Sequence, residues 1–367
     1  MTASGAPQTP PFCPNESCTF HTAPTGSWHW VRAGFYRTAS TPGRIQRFQC
    51  RHCRRHFSEQ TFRGTYWLRR PGLLVDVAER LVGCSGFRQI ARALRVSPET
   101  VLGLTARIGR QCLLFHEQHR PGGELAEPLV LDGFRTFEWS QYHPTEFHLL
   151  IGQRSHYVHG FTDSELRRSG SMRSSQRRKR AALEARQGRP DPRSTEKEVG
   201  TLLGIVTAGA TELVLHTDEH QDYPRAVARQ RHLVTVEHHT VSSRAARTTR
   251  NPLWAMNLFD LLVRHSGANQ KRETIAFSKR RQSAAERLWL LLVWRNYVKS
   301  FSERKRDATP AMRTGVCGRR HSLASILGRR KFPGRIALPE RWQRYYQRLT
   351  PTRALPRVRT HDLRYAF

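Results

Sequence analysis

Two short runs of β-forming residues each carry an aspartate at or near their end, and this pattern does most to limit what the chain can become. Asp132 lies within Pro128-Leu-Val-Leu-Asp-Gly-Phe-Arg-Thr-Phe137, and Asp218 closes Glu212-Leu-Val-Leu-His-Thr-Asp218. A third, Asp260, sits in Asn257-Leu-Phe-Asp-Leu-Leu-Val-Arg264, where apolar residues recur at helical spacing. A carboxylate in or beside an apolar segment is costly unless it is paired or binds a cation. Strands that end on acids therefore point to a sheet built around a divalent metal site.

The rest of the chain makes those acids stand out. Its 367 residues hold 62 Lys and Arg against 29 Asp and Glu, a formal charge of +33. Such a balance calls for a polyanionic partner, DNA or RNA before an anionic membrane surface. A carboxylate metal site inside a basic protein reads as an enzyme acting on nucleic acid. Eight Trp and 38% hydrophobic residues supply a real core, and the length suits two or three domains. No apolar run reaches the ~18 residues of a membrane span. The opening Met-Thr-Ala-Ser-Gly-Ala-Pro lacks the pattern of a secretory signal. These features predict a cytoplasmic, nucleoid-associated protein whose thiols stay reduced, so its seven cysteines suggest metal ligation before disulfides.

Four of those cysteines form two pairs, Cys13-x4-Cys18 and Cys50-x2-Cys53. Two such knuckles can grip one tetrahedral ion, which predicts a structural Zn²⁺ in a zinc ribbon over residues 1–65. His21, His52 and His56 are substitute ligands, His21 first because of the looser spacing of the first pair. Cys84, Cys112 and Cys317 are isolated and read as apolar fillers.

Residues 72–84 have helical periodicity, and Gly86–Val96 and a segment from Pro98 to about Leu114 follow. Ser97 is a good N-cap and Pro98 suits a first helical turn. A short helix, a tight turn and a capped second helix give a helix-turn-helix over 66–120, with Thr100, Thr105 and Arg107 as DNA-facing side chains. A plain helical hairpin is the alternative.

From residue 127 the pattern turns to short strands, at 128–138, 146–152, 156–161, 212–217 and 232–237, with a helix in 195–208. Three strands, a helix, a fourth strand and further helices is the order of a ribonuclease H-like domain, here 125–300. The fold class expected is thus multidomain α+β or α/β, a ribonuclease H-like mixed sheet flanked by helices behind the two N-terminal modules. In that architecture an acid within the first strand lies beside one at the end of the fourth, and a helix brings a third. Such acids hold Mg²⁺, or Mn²⁺ in its place. Asp132 has a rival reading as a hairpin Asp-Gly pair. Asp218 has rivals in Glu219 and Asp222. The third acid stays open among Asp260, Glu286, Glu273 and none. Asp260 shares a helix face with Asn257 and Arg264, and a plain Asp260–Arg264 surface pair is its ordinary reading. Glu286 starts an amphipathic helix over Ser283–Ser300, where charge near the N-terminus is its ordinary role.

The chain resembles bacterial insertion-sequence transposases of the DDE type with an N-terminal zinc ribbon. The resemblance rests on Phe48-Gln-Cys-Arg-His-Cys-Arg-Arg-His-Phe-Ser-Glu-Gln-Thr-Phe62, on Leu213–Asp218 with Tyr223, and on Lys271-Arg-Glu-Thr-Ile-Ala-Phe-Ser-Lys279. It spans most of residues 10–300 and is diffuse between these blocks. It implies a catalytic domain that cuts element ends and joins them to target DNA, with Asp132 and Asp218 at the first two acidic positions. It also implies a homo-oligomer on double-stranded DNA. Family members often carry Glu upstream of the last block, where this chain has Asn257, with Asp260 one turn on. A catalytically inactive DNA-binding relic and a ribonuclease H-like nuclease are the competing functions.

Between Arg167 and Arg193 stand ten Lys or Arg with only Glu184 and Asp191 against them. This segment, 165–195, reads as a mobile insert whose Arg177, Arg178, Lys179 and Arg180 contact phosphates, or as a solvated charge run. Residues 301–367 read as a basic helical appendix touching DNA or a second subunit.

Overall fold

Cys13, Cys50 and their neighbours open the chain on a small antiparallel sheet, β1 (Trp30–Thr38), β2 (Thr41–Cys50) and β3 (His56–Ser58), in that spatial order. In this computed structural model residues 9–23, 26–355 and 357 are described. The sheet buries Phe48 and Phe57 against Trp28, Trp30, Phe20 and Phe62. That core is too small to hold a domain without a further cross-link, the ordinary situation of a metal-knuckle module.

Three helices follow: α1 (Leu73–Val82), α2 (Phe87–Leu94) and α3 (Pro98–His119). Ser97 caps α3, its hydroxyl accepting from Thr100 N–H at 3.2 Å. From Leu104 to His116 every residue of α3 is buried, because α8 lies directly against it. A Cβ at Gly109 would sit 2.7 Å from Glu286 Cα, so only glycine permits that crossing.

The central sheet comprises β4 (Leu129–Phe137), β5 (Pro144–Gly152), β6 (Val158–Glu165), β7 (Glu212–Thr217) and β8 (Thr235–Thr240). Its spatial order is β6-β5-β4-β7-β8, with β4, β5 and β6 antiparallel and β7 and β8 joining parallel. Helices α4 (Ser174–Gln187), α5 (Ser194–Val206), α6 (Asp222–Ala228), α7 (Trp254–Ser266) and α8 (Arg281–Val293) are interleaved with or follow the strands. The chain is thus a mixed α+β protein, a five-stranded mixed sheet flanked by helices, with a four-cysteine cluster near its N-terminus. Among the described residues no helix is long and apolar enough to cross a membrane.

Four expectations need correction. The last strand begins at Thr235, not 232, because the turn after α6 continues through Leu233, whose N–H bonds Gln230 C=O. The third strand runs on to Glu165 through Thr162, Asp163 and Ser164, all buried. Arg281, Arg341 and Arg353, distant in sequence, supply the opposite charges that make this possible. The helix expected to be amphipathic over Ser283–Ser300 is buried at every position of α8 but Arg287 and then loosens into a π turn at Trp294–Val298. The basic segment is a helix, α4, with no buried residue, tied by Arg167 to Glu184 at 2.8 Å.

The C-terminal region is no appendix. Short helices α9 (Pro310–Arg313), α10 (Leu323–Gly328) and α11 (Glu340–Tyr346) pack into the main core. Trp342 is fully buried, its indole N–H donating to Phe161 C=O at 2.9 Å. Phe332 meets Phe12 and Phe62 of the N-terminal module, and Gln111 of α3 donates to Ile326 C=O at 3.0 Å. The tail therefore ties the cysteine module and α3 to the central sheet.

Candidate active site and metal centre

Asp132 and Asp218 meet because of strand register. Leu129 pairs with Leu215 and Val130 with His216 in parallel, and continuing that register by two residues sets Asp132 level with Asp218. Adjacent strands lie about 4.8 Å apart. Pairing between β4 and β7 ends at Val130 and His216, so Asp132 lies within β4 and Asp218 just past the end of β7, where these two strands part. The Asp132-Gly133 pair is no hairpin turn, since β4 stays paired with β5 through Phe137. A Cβ at Gly133 would lie 2.6 Å from Glu146 Cδ, so a side chain there would make the Glu146 carboxylate shift.

Alternation along β4 puts Asp132 and Phe134 on one face. Helix α7 covers that face, and Arg264 lays its guanidinium 4.5 Å over the Phe134 ring. The same helix carries Asp260, one of whose carboxylate oxygens (Oδ1) is buried without a hydrogen-bond partner. Arg264 stacks on Phe134 and donates weakly to Gln270 C=O at 3.4 Å, contacts that the alternative reading of a plain Asp260–Arg264 surface pair does not include.

Electrostatics bind the group together. Burial, then the charge of Asp218, pushes the Asp132 carboxyl up to about 7, against the Gly133 N–H and a Tyr223 hydrogen bond that favour ionisation. Burial, then the charge of Asp132, pushes Asp260 up to about 7, with Arg264 and Arg247 opposing. Asp218 accepts from His220 N–H at 3.0 Å. Sequence reasoning missed Glu146. It sits opposite Arg135 across β4 and β5, pairs with that residue at 2.8 Å, and leaves its buried Oε2 without a hydrogen bond. Its charge also raises Asp132. An acid within the buried β5 run (Pro144–Gly152) was the available signal.

The competing third acids lie elsewhere. Glu286 is buried on α8, paired with Arg348 at 2.6 Å and bonded to Gln282. Glu273 is exposed in the loop between α7 and α8. Glu219 accepts from Ser243 N–H at 3.1 Å, and Asp222 pairs with Arg225 at 3.2 Å.

The sulfurs of Cys13, Cys18, Cys50 and Cys53 all lie within 4.8 Å of one another, with Cys13 and Cys53 3.6 Å apart. A tetrahedral zinc at ~2.3 Å from each sulfur would set the sulfurs about 3.8 Å apart, so the donor set fits. Burial works against ionisation at Cys50. The Trp28 indole N–H at 3.3 Å and backbone donors outweigh it, bringing the thiol down to about 7. The histidines stand apart: His21 Nδ1 bonds Cys13 C=O at 2.8 Å, His52 packs edge-on to Phe20, and His56 bonds Gln49. Among the described residues these cysteines are the one group of three or more His, Cys, Asp or Glu side chains whose ligand atoms converge this closely. The carboxylates around Asp132 are more widely spread.

Of the residues expected to face DNA, Thr100 is exposed on the first turn of α3. Thr105 and Arg107 point inward instead. Thr105 donates to Val101 C=O at 2.8 Å, and Arg107 donates to Tyr66 C=O at 2.7 Å. Arg107 is covered by the Gly64–Tyr66 turn, a neighbour no local periodicity reveals. The exposed cations beside Thr100 are Arg88 and Arg92 on α2 and Arg95 just past its end, which line an open cleft with Ser97 and Pro98. On α4, Arg177, Arg178 and Lys179 are exposed, while Arg180 turns back to Arg168 C=O at 2.9 Å.

No family model and no curated protein sequence matches the chain. Among solved structures, a chain of the cryo-EM structure of the simian T-cell lymphotropic virus intasome in complex with PP2A regulatory subunit B56 gamma aligns over 72% of this chain and 76% of its own, at 14% identity and a TM-score of 0.26. So low a score with so little identity does not define a common fold.

Proposed function

We propose that this chain is a DDE-type DNA transposase of an insertion sequence, cutting element ends and joining them to target DNA by metal-dependent phosphoryl transfer. The observation that carries the reading is the register that sets Asp132 level with Asp218, with Asp260 delivered onto the same face by α7. The sheet order, three antiparallel strands with the first paired in parallel to the fourth, supports a ribonuclease H-like catalytic domain over 125–300. On this reading residues 1–65 form a zinc ribbon, 66–120 a helix-turn-helix that grips element ends, and α4 a backbone contact in the 165–195 insert. The described part of the C-terminal region, with α9, α10 and α11, fastens the modules together, and synapsis of two ends calls for a homo-oligomer on the nucleoid.

Asp132, Asp218 and Asp260 would hold Mg²⁺ or Mn²⁺, which when bound supplies Lewis acidity to the scissile phosphate and eases deprotonation of the attacking oxygen. The fit rests on the like charges that crowd Asp132 and Asp260, each also buried, and on the orphaned Asp260 oxygen. Tyr223 and the Gly133 N–H fix the Asp132 carboxyl, and His220 N–H fixes Asp218. Glu146, held by Arg135, keeps negative potential behind Asp132. Exposed Arg and Lys on α2 and α4 neutralise phosphates and give salt-dependent affinity. The wider spread of the acids compared with the cysteine cluster favours, as a second reading, a transposase-derived protein that binds DNA without cutting.

The test is cleavage of a plasmid carrying the gene with its native flanks, in Mg²⁺ or Mn²⁺, comparing wild type with Asp132→Asn and Asp218→Asn. Cuts at fixed flanking positions that vanish in both variants support the enzyme. Equal binding without cuts leaves the second reading.

A further inference from the structure

The turn at Thr65–Leu68 presents a bulky aromatic in an unusual way. Trp67 has φ +63°, a left-handed conformation costly for a large side chain, and is 66% exposed. The turn is not loose. Tyr66 N–H bonds Arg63 C=O and Leu68 N–H bonds Thr65 C=O. Arg107 reaches from α3 to the carbonyls of Gly64 and Tyr66. Gly64 N–H bonds Gly328 C=O at 3.0 Å, and a side chain at 64 would collide with Leu327. Three parts of the chain thus hold the backbone that projects this indole outward.

Trp67 borders an open cleft of about 980 Å³ between the turn and the edge of the cysteine-module sheet. Arg47, His56 and Arg69 line it, and among the described residues no acid does. Its floor offers hydroxyl and amide groups, including Tyr36, Ser58 and Gln60. An aromatic face, flanking cations and small polar groups match a strand that offers flat rings and phosphates. A paired duplex hides its ring faces; an unpaired nucleotide exposes them.

We infer that this cleft binds an unpaired nucleotide of DNA, the base stacked on Trp67 and the neighbouring phosphates met by Arg47 and Arg69. The inference rests on the DNA-binding reading above and adds to it a site for unpaired bases against the sheet of the cysteine module.

The full-length chain is tested by fluorescence anisotropy with labelled duplexes of one sequence, fully paired or carrying a short single-stranded overhang or a single bulged base. Wild type is expected to bind an unpaired form about 10-fold more tightly than the paired one, as one stacked base contributes. Trp67→Ala brings that ratio close to one, and Trp67→Phe, which keeps a ring, retains most of it. A ratio the same in Trp67→Ala as in wild type, or no wild-type preference, overturns the inference and leaves DNA binding intact. No binding of any duplex by wild type overturns the DNA reading along with it.

Discussion

Asp132 and Asp218 stand level on adjacent parallel strands, their positions fixed by the pairing of Leu129 with Leu215 and Val130 with His216. Burial first, and then the like charge of Asp218, pushes the Asp132 carboxyl up to about 7. Without a cation, this is a source of instability.

The pH dependence follows from that. A carboxyl with an ordinary pKa near 3.9 when unfolded and about 7 when folded binds more protons in the folded state between those values. Stability therefore falls as pH rises through that window, and the full penalty is present above pH 7. Asp132→Asn should raise the melting temperature of the metal-free protein at pH 8, by about 1–3 kcal/mol of stability, and leave it nearly unchanged at pH 4. Mg²⁺ should stabilise wild type at pH 8 and do little for the variant. Thermal unfolding with and without Mg²⁺ measures both, and an unaltered melting temperature in Asp132→Asn at pH 8 counts against the coupling.

Metal analysis addresses the cysteine cluster. The purified chain should carry about one zinc ion. Cys50→Ser should lose it and expose the N-terminal module to proteolysis, since Phe48 and Phe57 alone form too small a core. His21→Ala should keep the metal, because His21 is bonded to a backbone carbonyl. Zinc loss in His21→Ala would reassign the ligand set.

Arg281 neutralises Glu138, Asp163 and Glu165 together, at 3.4, 3.2 and 2.6 Å. Arg281→Met leaves buried acids with too little positive charge and should cost about 3–5 kcal/mol. Because Arg281 also donates to Pro351 C=O, the C-terminal segment should become the first site of limited proteolysis. A variant as stable and as resistant as wild type would show that the network contributes little.

Charge removal on α4 should act without sequence preference. The triple variant Arg177→Ala, Arg178→Ala, Lys179→Ala should lower the slope of log affinity against log salt by about 2–3, each lost phosphate contact removing about 0.9. Its melting temperature should not move, as α4 buries no residue. An unchanged slope would make α4 a solvated surface helix.

What the sequence determined by itself is local. The β-forming runs around Asp132 and before Asp218, the Ser97-Pro98 start of α3 and the spacing of the two cysteine pairs each depend on neighbours a few residues away, so their physics is readable in order. What faces what was decided by the tertiary structure. Thr105 and Arg107 lie on a helix that looks half exposed until α8 packs along it and the Gly64–Tyr66 turn covers Arg107. Glu146 comes near Asp132 because β5 pairs with β4, and Gly133 leaves room for its carboxylate. The C-terminal segment looks like a basic appendix until Trp342 finds its place against β6 and Arg353 finds Glu165. Burial of a charge is settled by partners distant in the chain, and a sequence read in windows does not contain them.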